Sequence, residues 1–501
     1  MGPKRLLRPA RAGVLRSRAM RGNRKHTLTR RGVLAGIGAT TAAGLLGGCG
    51  PAAPGGSDDD GGGDGGTDGE PANACTATVT ATPAELLAHL DCIVVLCMEN
   101  RSFDHYLGSL RLAEGRADVD GLTGSESNPS LTTGGAIGVH KLDDYTPVDP
   151  PHDWDPCHMQ WNNGANDGFV RAHAGAAEGD VMGYHVRSQL RTSYGLADAG
   201  VVCNRWFAAC LGPTWPNRFY LHGATSKGRQ SNLPVTGFTS IWDRLAAKGI
   251  TGTNYYSDVA WATGGYGKVT GLSAIENFFE HAGAGNLPPF SIIDPSFAGG
   301  GANDDHPDHD IRLGQALIAS VAAAIAQSPQ WKRSLLVITY DEHGGFYDHV
   351  APPATIDENP EFRRLGFRVP ALVVGPTVRR GCAIDDVLEH SSVAATATRR
   401  FGLEPLNARA EAVNDLSVCI DPRRIGDPLP PPVVPSALVS LRELARREAL
   451  ARSRPPSHPE LHAAIDAMRP PSALDRRAEA DAVARRVLRW GERLGAVEFT
   501  D

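Results

Sequence analysis

Ser334-Leu335-Leu336-Val337-Ile338-Thr339-Tyr340-Asp341-Glu342-His343-Gly344-Gly345-Phe346-Tyr347-Asp348-His349 changes character halfway along. Its first half is a short β-branched apolar run of the kind that forms a strand buried on both faces. Its second half supplies two carboxylates, an imidazole and two glycines without a break. A buried strand that stops at Asp-Glu-His sets charged groups at the carboxyl edge of a sheet, where open α/β sheets bind ligands. Asp341, Glu342 and His343 offer oxygen and nitrogen donors to a divalent cation. The glycines allow a tight turn and a close approach of backbone to ligand. The stretch predicts an α/β fold with a metal-centred phosphoryl site at the end of this strand.

A second strand of the same design lies upstream. Asp91-Cys92-Ile93-Val94-Val95-Leu96-Cys97-Met98 runs straight into Glu99 and Asn100, a carboxylate and an amide oxygen, both hard ligands. Taken alone, Asn100 and Ser102 would serve equally as helix caps. Paired with a strand ending in Asp-Glu, the ligand reading is the stronger. Between the two strands, Leu211-Gly212-Pro213-Thr214-Trp215-Pro216-Asn217-Arg218 holds a threonine between prolines at a predicted helix start. That position favours a phosphate or an alkoxide, although an ordinary capping threonine would look the same. The loop before it carries His152 and His158 close to Trp154 and Trp161.

Helix-then-strand alternation points to an α/β sheet. Residues 241–248 and 311–327 read as helices; residues 251–257 and 369–374 read as strands. After residue 422 the composition shifts. Residues 428–435 form a proline-rich, extended connector. From Ser436 the chain is rich in Ala, Arg, Glu and Leu, with breaks at Pro455 and Pro470, which predicts a few amphipathic helices.

The 501 residues carry a formal net charge of −6 and 6% aromatics, with no basic field. This argues against nucleic-acid binding. Residues 4–25 are basic, and Arg30-Arg31 precede a mildly apolar run over residues 33–46. That run is too short to span a membrane and reads as the core of a twin-arginine export signal. It ends Leu46-Gly47-Gly48-Cys49, which resembles a lipoprotein cleavage site with Cys49 as the acylated residue. The expectation is an exported protein, anchored at the cell surface or on the periplasmic side of the membrane, or secreted. The organisation expected is a signal over residues 1–49, a Gly/Asp-rich tether over 50–74, a catalytic domain over 75–422, and a connector with C-terminal helices over 423–501. Export permits disulfides, but their pairing is not legible. Cys92 and Cys97, within a strand-like run, read equally well as buried thiols.

Taken together, these motifs resemble the bacterial phosphoesterase family that contains phosphatidylcholine-cleaving phospholipase C and a related acid phosphatase, within the alkaline phosphatase-like superfamily. The resemblance runs from about Asp91 to Pro422. It rests on Glu99 to His105, Trp161-Asn162-Asn163-Gly164, Asp167-Gly168-Phe169, Met182-Gly183-Tyr184 and Gly212 to Arg218. Asp305-His306-Pro307, Tyr340 to Val350 and Asn414-Asp415-Leu416 complete it. It implies a central, mostly parallel sheet flanked by helices, here with a small helical C-terminal appendix. It makes Glu99, Asn100, Thr214, Asp341 and Glu342 the ligands of a divalent metal and Thr214 also the nucleophile. His306 becomes a phosphate contact and proton donor, and either His152 or His158 reaches the phosphoryl group. Trp161, Asn217, Arg218 and His343 are the expected substrate contacts. Two departures stand out. Asn204 replaces an expected acidic residue, and Asp308-His309 follow His306-Pro307 where relatives often carry a second proline.

An oxygen-rich shell suits calcium, magnesium, manganese or iron. The implied activity is phospholipase C, releasing diacylglycerol and a phosphorylated head group through a phosphothreonine. The alternatives are an acid phosphatase-like phosphomonoesterase and a non-catalytic surface-binding protein. The substrate would be a phospholipid or another organic phosphate ester, met at a membrane through the lipid anchor. A choline head group would want aromatic walls; Trp154, Trp161, Trp215 and Tyr347 are candidates for these or for core packing.

Overall fold

In the computed structural model the main sheet has eight strands. In chain order they are β1 Cys92–Met98, β2 Val201–Cys203, β3 Gly252–Tyr256, β4 Leu272–Ala274, β5 Phe290–Asp294, β6 Ser334–Tyr340, β7 Ala371–Val374 and β8 Cys382–Ile384. The described residues are 75, 81–175 and 177–501, so the export signal, Cys49 and the tether lie outside them. Across the sheet the order is β8-β2-β7-β6-β1-β5-β3-β4. Only β7 runs against the rest: it pairs antiparallel with β6 and with β2, while every other pair is parallel. The fold is α/β, with a large, mostly parallel sheet flanked by helices.

β1 and β6 sit at the centre, and every residue of both is buried. Their β-branched runs are apolar on both faces because helices cover both faces. They are in register from Cys92↔Ser334 to Met98↔Tyr340, so Glu99-Asn100 and Asp341-Glu342 leave the sheet side by side. β5, on the other side of β1, ends level with them at Asp294.

The principal helices are α1 Phe103–Leu107, α2 Trp154–Trp161, α3 Arg191–Ala199, α4 Thr214–Gly223, α5 Ile241–Ala247, α6 Ile275–Ala284, α7 Ile311–Ala326 and α8 Ser391–Phe401. The expected C-terminal helices are α9 Leu441–Ala451, α10 Pro459–Met468 and α11 Ala480–Arg493, and Pro455 and Pro470 fall between them. A short parallel ladder, β9 Ala437–Ser440 with β10 Val497–Thr500, joins them; nothing in the sequence reading anticipated it.

α7 is buried nearly all round because it is sandwiched. Its outer face, Leu313, Ala316, Ala319 and Ala323, packs against Val439, Leu444, Leu488 and Val497 of the C-terminal segment. The backbones of α7 and α11 approach closely where a Cβ on Gly491 would stand 2.2 Å from Ser320 Oγ. Leu461, Ala464 and Ile465 of α10 share a second cluster with Trp215, Phe219 and Trp261. The C-terminal helices are thus wedged into the molecule, and the described residues form one compact unit.

A disulfide joins Cys75 to Cys382. Cys92 and Cys97 are buried thiols, as are Cys157, Cys203, Cys210 and Cys419. Among the described residues no helix is long and apolar enough to cross a membrane.

Candidate active site

The site collects at the carboxyl ends of β1, β5 and β6. Asn100 leaves β1 at φ 59°, a left-handed conformation that Asn tolerates. Gly344 leaves the β6 turn at φ 63°, where any Cβ would lie 2.1 Å from the Asn100 carbonyl oxygen. The Asp-Glu-His-Gly turn therefore crosses directly over the Glu-Asn turn.

Asp341 ties these turns together. Its Oδ1 accepts from the backbone N–H of Asn100 at 3.2 Å and of Glu342 at 2.8 Å. Its Oδ2 accepts from Arg218 Nε at 2.9 Å. Glu342 Oε2 accepts from Gly344 N–H at 2.7 Å and lies 3.2 Å from His343 Nδ1. Glu342 Oε1 is buried with no hydrogen-bond partner and lies 3.5 Å from His152 Nε2. Glu99 Oε1 is 3.1 Å from Arg218 Nη2, whereas its Oε2 is buried and unpartnered.

α4 begins at Thr214, after the extended Pro213. The Thr214 hydroxyl is directed at Asn100 Oδ1, 3.5 Å away, and Asn100 Nδ2 is 3.3 Å from His152 Nε2. His152 Nδ1 donates to the Pro150 carbonyl at 2.7 Å, which fixes the ring. The sequence left His152 and His158 open, and the structure brings only His152 to these carboxylates. His158 is turned back on its own helix, bonded to the Trp154 carbonyl at 2.7 Å and packed on the Trp154 ring.

Three expected substrate contacts are engaged by other parts of the chain. Asn217 is fully buried and braces the loop before α4: its Nδ2 donates to the Gly212 and Pro213 carbonyls, and its Oδ1 accepts from Cys210 N–H. Arg218 is fully buried among Glu99, Asp294 and Asp341, where its charge holds three strand ends together. His343 is buried against Phe367, with Nε2 2.8 Å from Gln160 Oε1, so it supports Glu342 from behind. Trp161 is half-buried with Arg364 over its ring. Trp215, a candidate head-group wall, lies in the core beside Trp261, and Tyr347 packs against Phe169. Asn204 loses nothing by its neutrality: its amide meets Asp120 N–H, the Asp118 carbonyl and Asp385.

His306 projects from the β5–α7 connection with Nδ1 2.8 Å from the Pro307 carbonyl. Its ring meets His152 at 6.1 Å and His458 at 4.5 Å between centroids. His458, at the start of α10, escaped the sequence reading, as did Asp304, which is 2.9 Å from His458 Nε2 and 2.6 Å from His309 Nδ1. His458 Nδ1 is 3.5 Å from Glu99 Oε2. A lone histidine in an Arg-rich, polar stretch gives no sequence signal; Asp304-Asp305-His306 did, through its density of ligand-type residues.

Burial dominates the electrostatics. It pushes the Glu99 carboxyl up to about 8, against the pull of His458 and Arg218. It also holds Glu342 well above the usual carboxylate range despite His152. Burial would lower His152, but the carboxylates of Glu342 and Asp149 raise it to about 9. Burial and the neighbouring His458 keep His306 well below the ordinary imidazole value.

Among the described residues, three groups of His, Asp and Glu bring ligand atoms within 4.8 Å of one another: Glu99/His306/His458, Asp149/His152/His306 and Asp304/His309/His458. Thr214 is nearly buried, and a cavity of about 720 Å³ opens beside the site, bounded by Asp149, Phe297, His309, Arg447 and Ser457.

The sequence profile of the Phosphoesterase family matches residues 90–271 and 262–404. Non-specific phospholipase C1 of Arabidopsis thaliana is 34% identical over 376 residues, spanning 64% of this chain and 69% of that protein. Phospholipase C B of Mycobacterium tuberculosis is 29% identical over 397 residues, 65% of this chain and 75% of that protein. Among solved structures, a protein of the alkaline phosphatase superfamily from Vibrio parahaemolyticus aligns with a TM-score of 0.32 at 13% identity, over 62% of this chain and 76% of that one. The sheet, the strand-end carboxylates and the sequence relatives define an enzyme that hydrolyses phosphoric esters. The chain belongs to the Phosphoesterase family.

Proposed function

We propose that the chain is a phospholipase C, cleaving a phospholipid to diacylglycerol and a phosphorylated head group, with Thr214 as nucleophile. The observation that carries this reading is the Thr214 hydroxyl at a helix N-terminus, directed at Asn100, the residue that follows Glu99 at the end of β1. The sequence relatives named phospholipase C support the substrate class.

The donor set fits a divalent cation. Glu99 Oε2 and Glu342 Oε1 are buried without partners, and Asn100 Oδ1 meets no stronger donor than a hydroxyl at 3.5 Å. Glu99, Asn100, Thr214, Asp341 and Glu342 would hold it, and its chemistry there is to acidify the threonine hydroxyl and offset phosphoryl charge. Thr214 loses its proton to water and attacks phosphorus, and the bond to the glycerol oxygen breaks. The head group stays on a phosphothreonine until water displaces it. The partial positive charge at the start of α4 favours the phosphoryl oxygens. His152 is the proton donor to the departing glycerol oxygen: its Nδ1 is occupied by Pro150, and its Nε2 faces the site. His306, with Nδ1–H on Pro307, presents a bare Nε2 and does not donate. The same reading takes the chain out by the twin-arginine route, with Cys49 bearing lipid at the membrane.

The test is protein lacking residues 1–50, dialysed with and without divalent metals and assayed on phosphatidylcholine and on an aryl phosphomonoester. Metal-dependent release of diacylglycerol, reduced about 10³-fold or more in Thr214→Ala, is the expected result. Turnover of the monoester alone would move the chain to the phosphatase branch. Activity unchanged in Thr214→Ala would remove the nucleophile.

A further inference from the structure

The C-terminal segment reverses the sign of the surface beside the site. Residues 441–457 hold five arginines and two glutamates in a chain of net charge −6. Both glutamates are occupied. Glu443 pairs with Arg446 at 2.6 Å and with Arg447 at 3.2 Å, and Glu448 pairs with Arg485 at 2.6 Å. Arg452 and Arg454 are exposed, and no hydrogen bond or ion pair joins their side chains to another described residue. They stand on the elbow between α9 and α10, where Pro455 and Pro456 are exposed as well.

The elbow is part of the wall of the cavity beside the site. Leu450, Arg454, Pro455 and Pro456 line it from this segment, and Val148 lines it from the segment before His152. Val148 and Leu450 are 53% and 37% exposed. Ser457 Oγ, 2.8 Å from His309 Nε2, fixes the elbow to the β5–α7 connection that carries His306. The carboxylates of the cavity already face basic side chains. Asp149 is 3.5 Å from His152 Nδ1, Asp308 is 3.7 Å from His309 Nε2, and Asp310 is 3.2 Å from Arg447 Nε. The elbow therefore presents positive charge without a partner next to exposed apolar side chains. Peripheral binding to lipid draws on those two features together, buried apolar area and attraction to anionic head groups. A small soluble anion would leave Val148 and Leu450 in water, and an uncharged apolar partner would desolvate the arginines without compensation.

We propose that the α9–α10 elbow, with Val148 beside it, docks the enzyme on an anionic lipid surface, so that the cavity opens against the lipid. The choice of lipid as the occupant rests on the phospholipase reading; the charge and the exposure of the elbow do not.

Protein lacking residues 1–50 keeps every described residue and removes the basic stretch 4–25 and Cys49. It is sedimented with vesicles of phosphatidylcholine alone, or of phosphatidylcholine with phosphatidylglycerol, at low and at high salt. Binding to the anionic vesicles is expected to be about 10-fold or more the tighter at low salt, with the difference lost at high salt. Arg452→Ser/Arg454→Ser lowers affinity for the anionic vesicles by about 30-fold. Lys248→Ser/Lys332→Ser removes the same charge just before β3 and β6, at the amino edge of the sheet away from the site, and leaves binding unchanged. Equal binding to the two kinds of vesicle overturns the proposal. So does wild-type affinity in the arginine variant, or an equal loss in the lysine variant. Sedimentation without vesicles tests for a second copy: a dimer that the arginine variant dissociates assigns the face to self-association and overturns lipid docking. Diacylglycerol release is read separately, on dispersed short-chain phosphatidylcholine. Release without binding to anionic vesicles rejects the docking and keeps the phospholipase reading. Binding without release supports the docking and rejects that reading.

Discussion

His349 shows how one side chain ties charge to stability away from the proposed chemistry. Its Nδ1 is 2.7 Å from Asp104 Oδ2 and its Nε2 3.4 Å from Asp120 Oδ1. Burial opposes protonation, but the Asp104 and Asp120 carboxylates raise the imidazole to about 10. The native state therefore holds a proton that the unfolded chain releases near its ordinary value of about 6.5. A raised folded pKa means the stabilisation is complete below about pH 6.5 and is lost as pH rises towards 10. His349→Gln should accordingly lose less melting temperature between pH 7 and pH 10 than wild type does. Parallel melting curves over that range would disprove the assignment. The same scale bears on the expected substrate contacts. Asn217 and Arg218 carry the polar chemistry of ligand-binding groups, but their partners are other parts of the chain, and side-chain type does not reveal direction.

At the scale of elements, the central strands were legible and their clamp was not. Strand ends at Glu99-Asn100 and Asp341-Glu342 announced themselves because an apolar run stops at charge twice, and parallel register then sets the two ends side by side. The reversal of β7 left no mark, because a four-residue apolar strand reads alike in both directions. Nor did the sequence reveal that α4 delivers Arg218 to the ends of β1, β5 and β6, through Glu99, Asp294 and Asp341. The delivery of His458 by α10 was hidden for a similar reason: it depends on Leu461 and Ile465 docking beside Trp215 and Trp261, a contact between segments more than 200 residues apart. Removing the Arg218 cation leaves buried carboxylates facing one another. Arg218→Met should cost about 3–5 kcal/mol of stability and lower activity with it, because the strand ends lose their common partner. Urea denaturation measures the first; an unchanged midpoint would mean the three ends are held by something else.

For the whole molecule, composition bounded the class, and packing made one unit of what read as a domain plus an appendix. The C-terminal helices close the outer face of α7 and reach the site through His458, so residues 423–501 are joined to the catalytic architecture. At the other end of the chain, Cys75 is bonded to Cys382 on the edge strand β8, across 307 residues. A bond of this kind persists under oxidising conditions. Closing so long a loop restricts the unfolded chain more than the folded one, by on the order of 4–6 kcal/mol in the loop-entropy account. The Cys75→Ser/Cys382→Ser variant should therefore melt lower than wild type under oxidising conditions and match it once wild type is fully reduced. If the two melt alike under oxidising conditions, the bond contributes nothing to stability. If the variant stays below reduced wild type, the serines themselves disturb the edge of β8, and the loss cannot be credited to loop closure.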